Sequence, residues 1–79
     1  MLKGYVITHG RKALTIQTET KQQYYGPIEN IIDEMIFVLL ENNLSSIPVK
    51  FMVDKTNYSG EIKGIKRYFA YNIESDIVI

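Results

Sequence analysis

Apolar and polar residues alternate imperfectly at a period of two in residues 2–8 and more regularly in residues 13–18. The run at residues 2–8 ends in a polar turn, as a strand before a hairpin does. The next run places Leu14 and Ile16 on one face, which is the pattern of a half-buried strand. A third, shorter strand follows at residues 22–25. This part of the chain therefore predicts an antiparallel meander of three strands.

The apolar period then changes to that of an α-helix. Seven apolar residues form a single helical stripe: Ile28, Ile31, Ile32, Met35, Ile36, Leu39 and Leu40. Pro27 suits the first position of a helix, where its missing N–H leaves no hydrogen bond unmade. The stripe predicts one amphipathic helix over about residues 27–43. A buried strand over residues 35–40 is the competing interpretation, because six apolar residues follow one another there.

The period of two resumes after Pro48, and residues 61–72 are long enough for two short strands or one bent strand. The order β-β-β-α-β-β is that of the OB-fold, a small five-stranded barrel. An open sheet with one helix across a face has the same order. We therefore expect an α+β fold, either a small antiparallel sheet or an OB-like barrel, in one domain spanning residues 1–79. The tail at 74–79 is expected to be loose or to form an edge strand.

Size and composition narrow the class of protein. A chain of 79 residues makes one domain, and the absence of cysteine excludes disulfides and thiolate metal sites. No signal peptide or membrane-spanning run of about 20 apolar residues is present, so we expect a soluble cytoplasmic protein without a membrane partner. His9 is the single histidine and stands in a predicted turn. We therefore expect no enzymatic activity, metal or cofactor.

The formal net charge is zero, but charges of opposite sign are separated along the chain. Residues 1–25 have a balance of +3, residues 26–45 of −4, residues 46–72 of +3, and residues 73–79 of −2. The positive blocks coincide with predicted strands and the block of −4 with the predicted helix. This separation predicts a basic sheet side and an acidic helix side, each suited to a charged partner.

The outer face of the predicted helix is the first candidate site. At about 100° per residue, Phe37 falls nearly opposite the apolar stripe, among acidic and polar residues. Exposed aromatic residues with a polar rim are typical of protein interfaces. We therefore expect a non-enzymatic protein-binding module, a regulator, adaptor or inhibitor whose partner has a basic surface. The predicted contact residues are Asn30, Asp33, Glu34, Phe37 and Glu41.

The strands provide an alternative site, because basic and aromatic residues are interleaved there. Rings set among cations are what single-stranded nucleic acid requires, since bases stack on the rings while the cations contact phosphates. The alternative function is therefore a single-stranded nucleic-acid-binding, OB-like domain. Its predicted contact residues are Tyr5, Arg11, Lys12, Lys63, Lys66, Arg67, Tyr68 and Tyr71. A third possibility is a homodimer formed through Phe37 and the tail. The motifs of the chain place it in no known family.

Overall fold

The computed structural model describes residues 1–42 and 46–77, and for Ser59, Ile62 and Ile65 it describes the backbone alone. These described residues form five strands: β1 (Leu2–His9), β2 (Ala13–Gln17), β3 (Gln23–Pro27), β4 (Ile47–Ile62) and β5 (Ile65–Ser75). In the described residues between β3 and β4 lie a 3-10 turn (Ile28–Asn30) and one short helix, α1 (Met35–Glu41).

The five strands close into a barrel in the spatial order β1-β2-β3-β5-β4. β1 pairs antiparallel with both β2 and β4, and β4 pairs antiparallel with β5. The pair of β3 and β5 is parallel, so the sheet is mixed and not wholly antiparallel as predicted. The structure thus has the barrel and not the open sheet. A closed five-stranded barrel with one short helix is consistent with an OB-like α+β fold.

The barrel interior is filled by apolar side chains from every strand and from α1. The buried apolar residues are Val6, Leu14, Ile16, Tyr24, Ile36, Ile47, Val49, Phe51, Ala70 and Ile73. Close packing is visible at Gly26, where an added Cβ would lie 2.8 Å from Cδ1 of Ile73. The apolar residues whose alternation predicted β1, β2 and β4 therefore lie on the inward face of the barrel.

The predicted helix over residues 27–43 is too long, since α1 takes up only seven of the described residues 27–42. Ile31 is extended and forms an isolated parallel bridge with Ile73, whose carbonyl also accepts a hydrogen bond from the Ile32 N–H at 3.0 Å. The Asn30 side chain donates to the Ala70 carbonyl at 3.0 Å. Hydrogen bonds to β5 thus replace helical ones before Met35. The competing prediction of a buried strand over residues 35–40 is also wrong, because these residues form part of α1.

The hairpin of β4 and β5 is longer than the barrel requires. Residues 54–67, here called the arm, extend beyond the barrel: within them Gly60 pairs with Arg67, Glu61 with Lys66 and Ile62 with Ile65, on either side of a turn at Lys63 and Gly64 with φ angles of 52° and 81°. Residues 74 and 75 of the tail belong to β5, and the Asp76 N–H donates to the Pro48 carbonyl at 2.9 Å. Ile77 is exposed and belongs to no strand, and residues 78–79 of the tail lie outside the described residues.

Candidate nucleic-acid interface

Three aromatic rings lie together on the outer surface where β3 meets β5. Gly26 and Ala70 point inward, so their neighbours Tyr25, Phe69 and Tyr71 point outward. Tyr25 and Phe69 are opposite each other in the parallel pair, with ring centroids 5.6 Å apart and planes at 73°. The rings of Phe69 and Tyr71 are 6.4 Å apart at 47°. We call these three residues the aromatic face.

Three cations surround this face. The guanidinium carbon of Arg67 lies 5.4 Å from the centroid of the Tyr25 ring, within the range of a cation–π interaction. Arg11 and Lys12, from the turn between β1 and β2, line a shallow groove with Tyr25 and Phe69. The other lining residues of this groove are Pro27, Ile28 and Glu29. The groove therefore combines aromatic walls with two positive charges and one negative charge.

Hydrogen bonds hold the groove and the aromatic face in place. The Ile28 N–H donates to the Lys12 carbonyl at 2.9 Å, which fixes the β1–β2 turn against the end of β3. The Asn57 side chain donates to the Tyr71 hydroxyl at 3.1 Å. Beside Tyr25, the Gln23 amide donates to the Gln17 side-chain oxygen at 3.2 Å. The outer surface thus offers side-chain amides next to rings.

The structure divides the eight residues predicted for nucleic-acid binding among several places. Arg11, Lys12, Arg67 and Tyr71 come together around the groove and the aromatic face, as described above. Lys66 and Tyr68 alternate with Arg67 and Phe69 along β5 and therefore face the opposite side of the strand, where Tyr68 packs against the buried core. There the Lys66 ammonium lies 4.9 Å from the Tyr58 ring, and Tyr58 and Tyr68 meet edge to face at 6.3 Å.

The last two residues of that set lie apart from the groove. Lys63 is exposed in the turn at the tip of the arm. Tyr5 is exposed on β1, opposite Gln17 of β2, so it is on the outer surface two strands away from Tyr25. Sequence reasoning missed Tyr25 and Phe69. Their signal was present as alternation about the small residues Gly26 and Ala70.

The residues predicted for protein binding are partly engaged within the fold. The Asn30 amide is bonded to β5, as described above, and Phe37 is half-buried. Glu34 and Glu41 are exposed. The most exposed apolar side chains of this region are instead Ile32, Met35 and Val38, at 60%, 42% and 50% exposure. The outer helix surface is thus apolar with acidic flanks, and its aromatic residue is partly covered.

Asp33 joins the start of α1 to the end of β5. One carboxylate oxygen accepts a hydrogen bond at 3.0 Å from the N–H of Met35, the first residue of α1. The other oxygen accepts from the Ser75 hydroxyl at 2.5 Å and from the Ser75 N–H at 3.0 Å. These bonds, that of the Ser75 hydroxyl above all, lower the pKa of the Asp33 carboxyl. We call this arrangement the Asp33 clasp.

The part of the chain that the structure describes contains few residues arranged for metal binding or catalysis. No group of three or more His, Cys, Asp or Glu side chains comes close enough there to hold a metal ion. None of the helices described is both long and apolar enough to cross a membrane. His9 is exposed at the end of β1. Burial, with a smaller effect of nearby Tyr68, raises the pKa of the Tyr24 hydroxyl.

Comparisons of the chain with protein-family models, with curated proteins and with solved structures give no match. The functional assignment therefore rests on the geometry of the described residues.

Proposed function

We propose that this protein binds single-stranded nucleic acid on the aromatic face and in the adjoining groove. The observation that carries the proposal is the outward pair of Tyr25 and Phe69, with Arg67 over the Tyr25 ring and with Arg11 and Lys12 in the adjoining groove. Bases stack on the accessible part of a ring whatever their sequence, and cations neutralise the phosphates; Tyr25 and Phe69 are half-buried, so part of each side chain is accessible. The proposal is for a binding protein without catalytic activity.

The position of the site in the barrel supports this proposal. OB-like barrels bind oligonucleotides on the surface of their second and third strands and with the loops between strands one and two and between strands four and five. Here Tyr25 belongs to β3, Arg11 and Lys12 to the β1–β2 turn, and Arg67 to the arm. The ligand chemistry thus coincides with the surface that this architecture offers.

The expected strength follows from the number of rings and cations. Each base stacked on a ring contributes about 1–3 kcal/mol. Three phosphate contacts on a single strand give a slope of about −2 in a plot of log affinity against log salt. Between about 50 and about 200 mM salt, affinity should therefore fall by roughly 20-fold. A strongly basic binder would lose more, and this chain is formally neutral.

Fluorescence anisotropy with a labelled oligothymidylate of about eight nucleotides tests the proposal. Phe69→Leu keeps an apolar side chain but removes a stacking ring, and should weaken binding by roughly 5- to 150-fold. Tyr58→Leu is the matched control, because the exposed ring of Tyr58 lies on the side of the arm opposite to the aromatic face. Thermal unfolding of both variants establishes that they remain folded.

The charge contribution is tested in the same assay. Arg11→Gln with Lys12→Gln should weaken binding and reduce the salt slope by about 1.4. The charge control is Lys3→Gln, since β1 is not adjacent to β3 or β5 in the barrel. Equal effects of the groove variants and their controls would overturn the proposal, as would the absence of binding at low salt.

A second candidate function is a protein contact on the outer surface of α1. The exposed apolar residues Ile32, Met35 and Val38, next to the exposed Glu34, favour a protein partner that combines apolar and basic groups. A photo-crosslinking residue at Met35 should then capture a protein that the same residue at Lys3 does not. Glu34→Lys should abolish that capture, and capture that persists in Glu34→Lys would contradict the candidate.

A further inference from the structure

The rings of the aromatic face are neither parallel nor spaced like stacked bases. Tyr25 and Phe69 meet at 73° with centroids 5.6 Å apart, and Phe69 and Tyr71 meet at 47° and 6.4 Å. Consecutive bases of a stacked strand are parallel and separated by about 3.4 Å. A strand that keeps its own stacking therefore cannot place consecutive bases on consecutive rings.

Given the proposed function, on which this inference rests, we infer that the aromatic face selects strands whose bases separate readily, which are pyrimidine-rich strands. A base on Tyr25 and a base on Phe69 must turn by tens of degrees relative to each other, since each follows the plane of its own ring. The backbone between them must extend and the base–base contact must break. The ligand class is thus an unstacked single strand of pyrimidine nucleotides.

The difference between bases arises from the unbound strand. Adenine-rich strands stack with themselves in solution, so they give up that stacking when the bases separate on the rings. Pyrimidine runs stack weakly and are flexible, and sequence preferences of this origin are modest. We therefore expect an oligothymidylate to bind about tenfold more tightly than an oligoadenylate of equal length.

Neighbouring contacts maintain the angles between the rings. Arg67 lies over Tyr25, and the Asn57 amide donates to the Tyr71 hydroxyl, so the two outer rings are held by groups from the arm. Phe69 lies between them and contacts both rings. Because contacts from the arm orient the rings of Tyr25 and Tyr71, the nucleic-acid strand must adapt its bases to the angles of the rings.

The experiment compares labelled oligothymidylate, oligocytidylate and oligoadenylate of about eight nucleotides in the anisotropy assay. Thymidylate and cytidylate should bind alike, each about tenfold more tightly than adenylate. Warming should reduce the ratio, because it unstacks the unbound adenylate. Asn57→Ala, which frees the Tyr71 ring and leaves the Tyr25 and Phe69 pair intact, should also reduce the ratio, whereas Tyr58→Leu should not.

The outcomes separate this inference from the proposed function. Binding of adenylate as tight as that of thymidylate would overturn the inference and leave nucleic-acid binding intact. Weak binding of cytidylate beside tight binding of thymidylate would also overturn it, because recognition would then depend on base edges. Absence of binding to all three strands would overturn the proposed function itself.

Discussion

Replacing Asp33 by alanine removes the carboxylate of the clasp between α1 and β5. The variant loses the bond from the Met35 N–H and both bonds from Ser75. A hydrogen bond to a charged acceptor contributes about 1.5–3 kcal/mol, less when water reaches it. Because Asp33 is half-buried, we expect the free energy of unfolding to fall by about 2 kcal/mol.

The charge of the clasp gives this loss a definite pH dependence. Hydrogen bonds from Ser75 and Met35 hold the pKa of the Asp33 carboxyl below its ordinary value of 3.8. A carboxyl with a lowered pKa in the folded state stabilises the protein above its unfolded pKa, and this contribution disappears as pH falls through the folded pKa. The difference between wild type and Asp33→Ala should therefore be full at about pH 7 and shrink as the pH falls below the ordinary carboxyl pKa of 3.8.

Urea unfolding followed by circular dichroism measures both effects. For a domain of this size, a loss of about 2 kcal/mol lowers the melting temperature by roughly 8–16 °C. Asp54→Ala is the matched control, because the Asp54 carboxylate is exposed and, among the described residues, accepts bonds from the nearby Thr56 in the arm, so its midpoint should change far less. The reasoning would be refuted by an unchanged midpoint in Asp33→Ala at neutral pH, or by a loss that persists undiminished in acid.

Three further substitutions probe the barrel, the arm and the groove. Gly26→Ala should cost about 1–3 kcal/mol in urea unfolding, because its Cβ meets buried Ile73, whereas Gly10→Ala, with no atom within 4 Å, should be nearly neutral. Gly64→Ala should cost about 1–2 kcal/mol at its φ of 81°, and Gly64→Asn less; equal losses would contradict this. Glu29→Gln should raise oligonucleotide affinity by roughly twofold at low salt, and weaker binding would contradict the proposed path of the phosphates.

Local alternation predicted the strands because the inward face of the barrel is continuous and apolar. Leu14 and Ile16 are both buried, as their spacing indicated. The same reasoning overestimated the helix, since Ile31 belongs to the helical stripe but pairs with Ile73, more than 40 positions away in the chain. A hydrogen bond to a distant strand leaves no trace in a local pattern.

The candidate site was predicted in part for a related reason. Arg67 and Tyr71 were selected as basic and aromatic residues of the last strand, and they do lie together with Arg11 and Lys12 near one surface. Tyr25 was missed because its importance depends on the parallel pairing of β3 with β5. The sequence also predicts Lys66 and Tyr68 as contact residues of this site, because composition does not distinguish the two faces of a strand.

The parallel pair of β3 and β5 closes the barrel with few residues. In the described part of the chain these strands are in register at Tyr24 with Tyr68 and at Tyr25 with Phe69. Local opening should begin at such a short pairing, and amide hydrogen exchange would report it. A single-stranded nucleic acid whose bases stack on Tyr25 and Phe69 would contact both β3 and β5. It would therefore slow hydrogen exchange at the backbone amides behind the two rings. Occupancy of the site would thereby become measurable as kinetic protection of the fold.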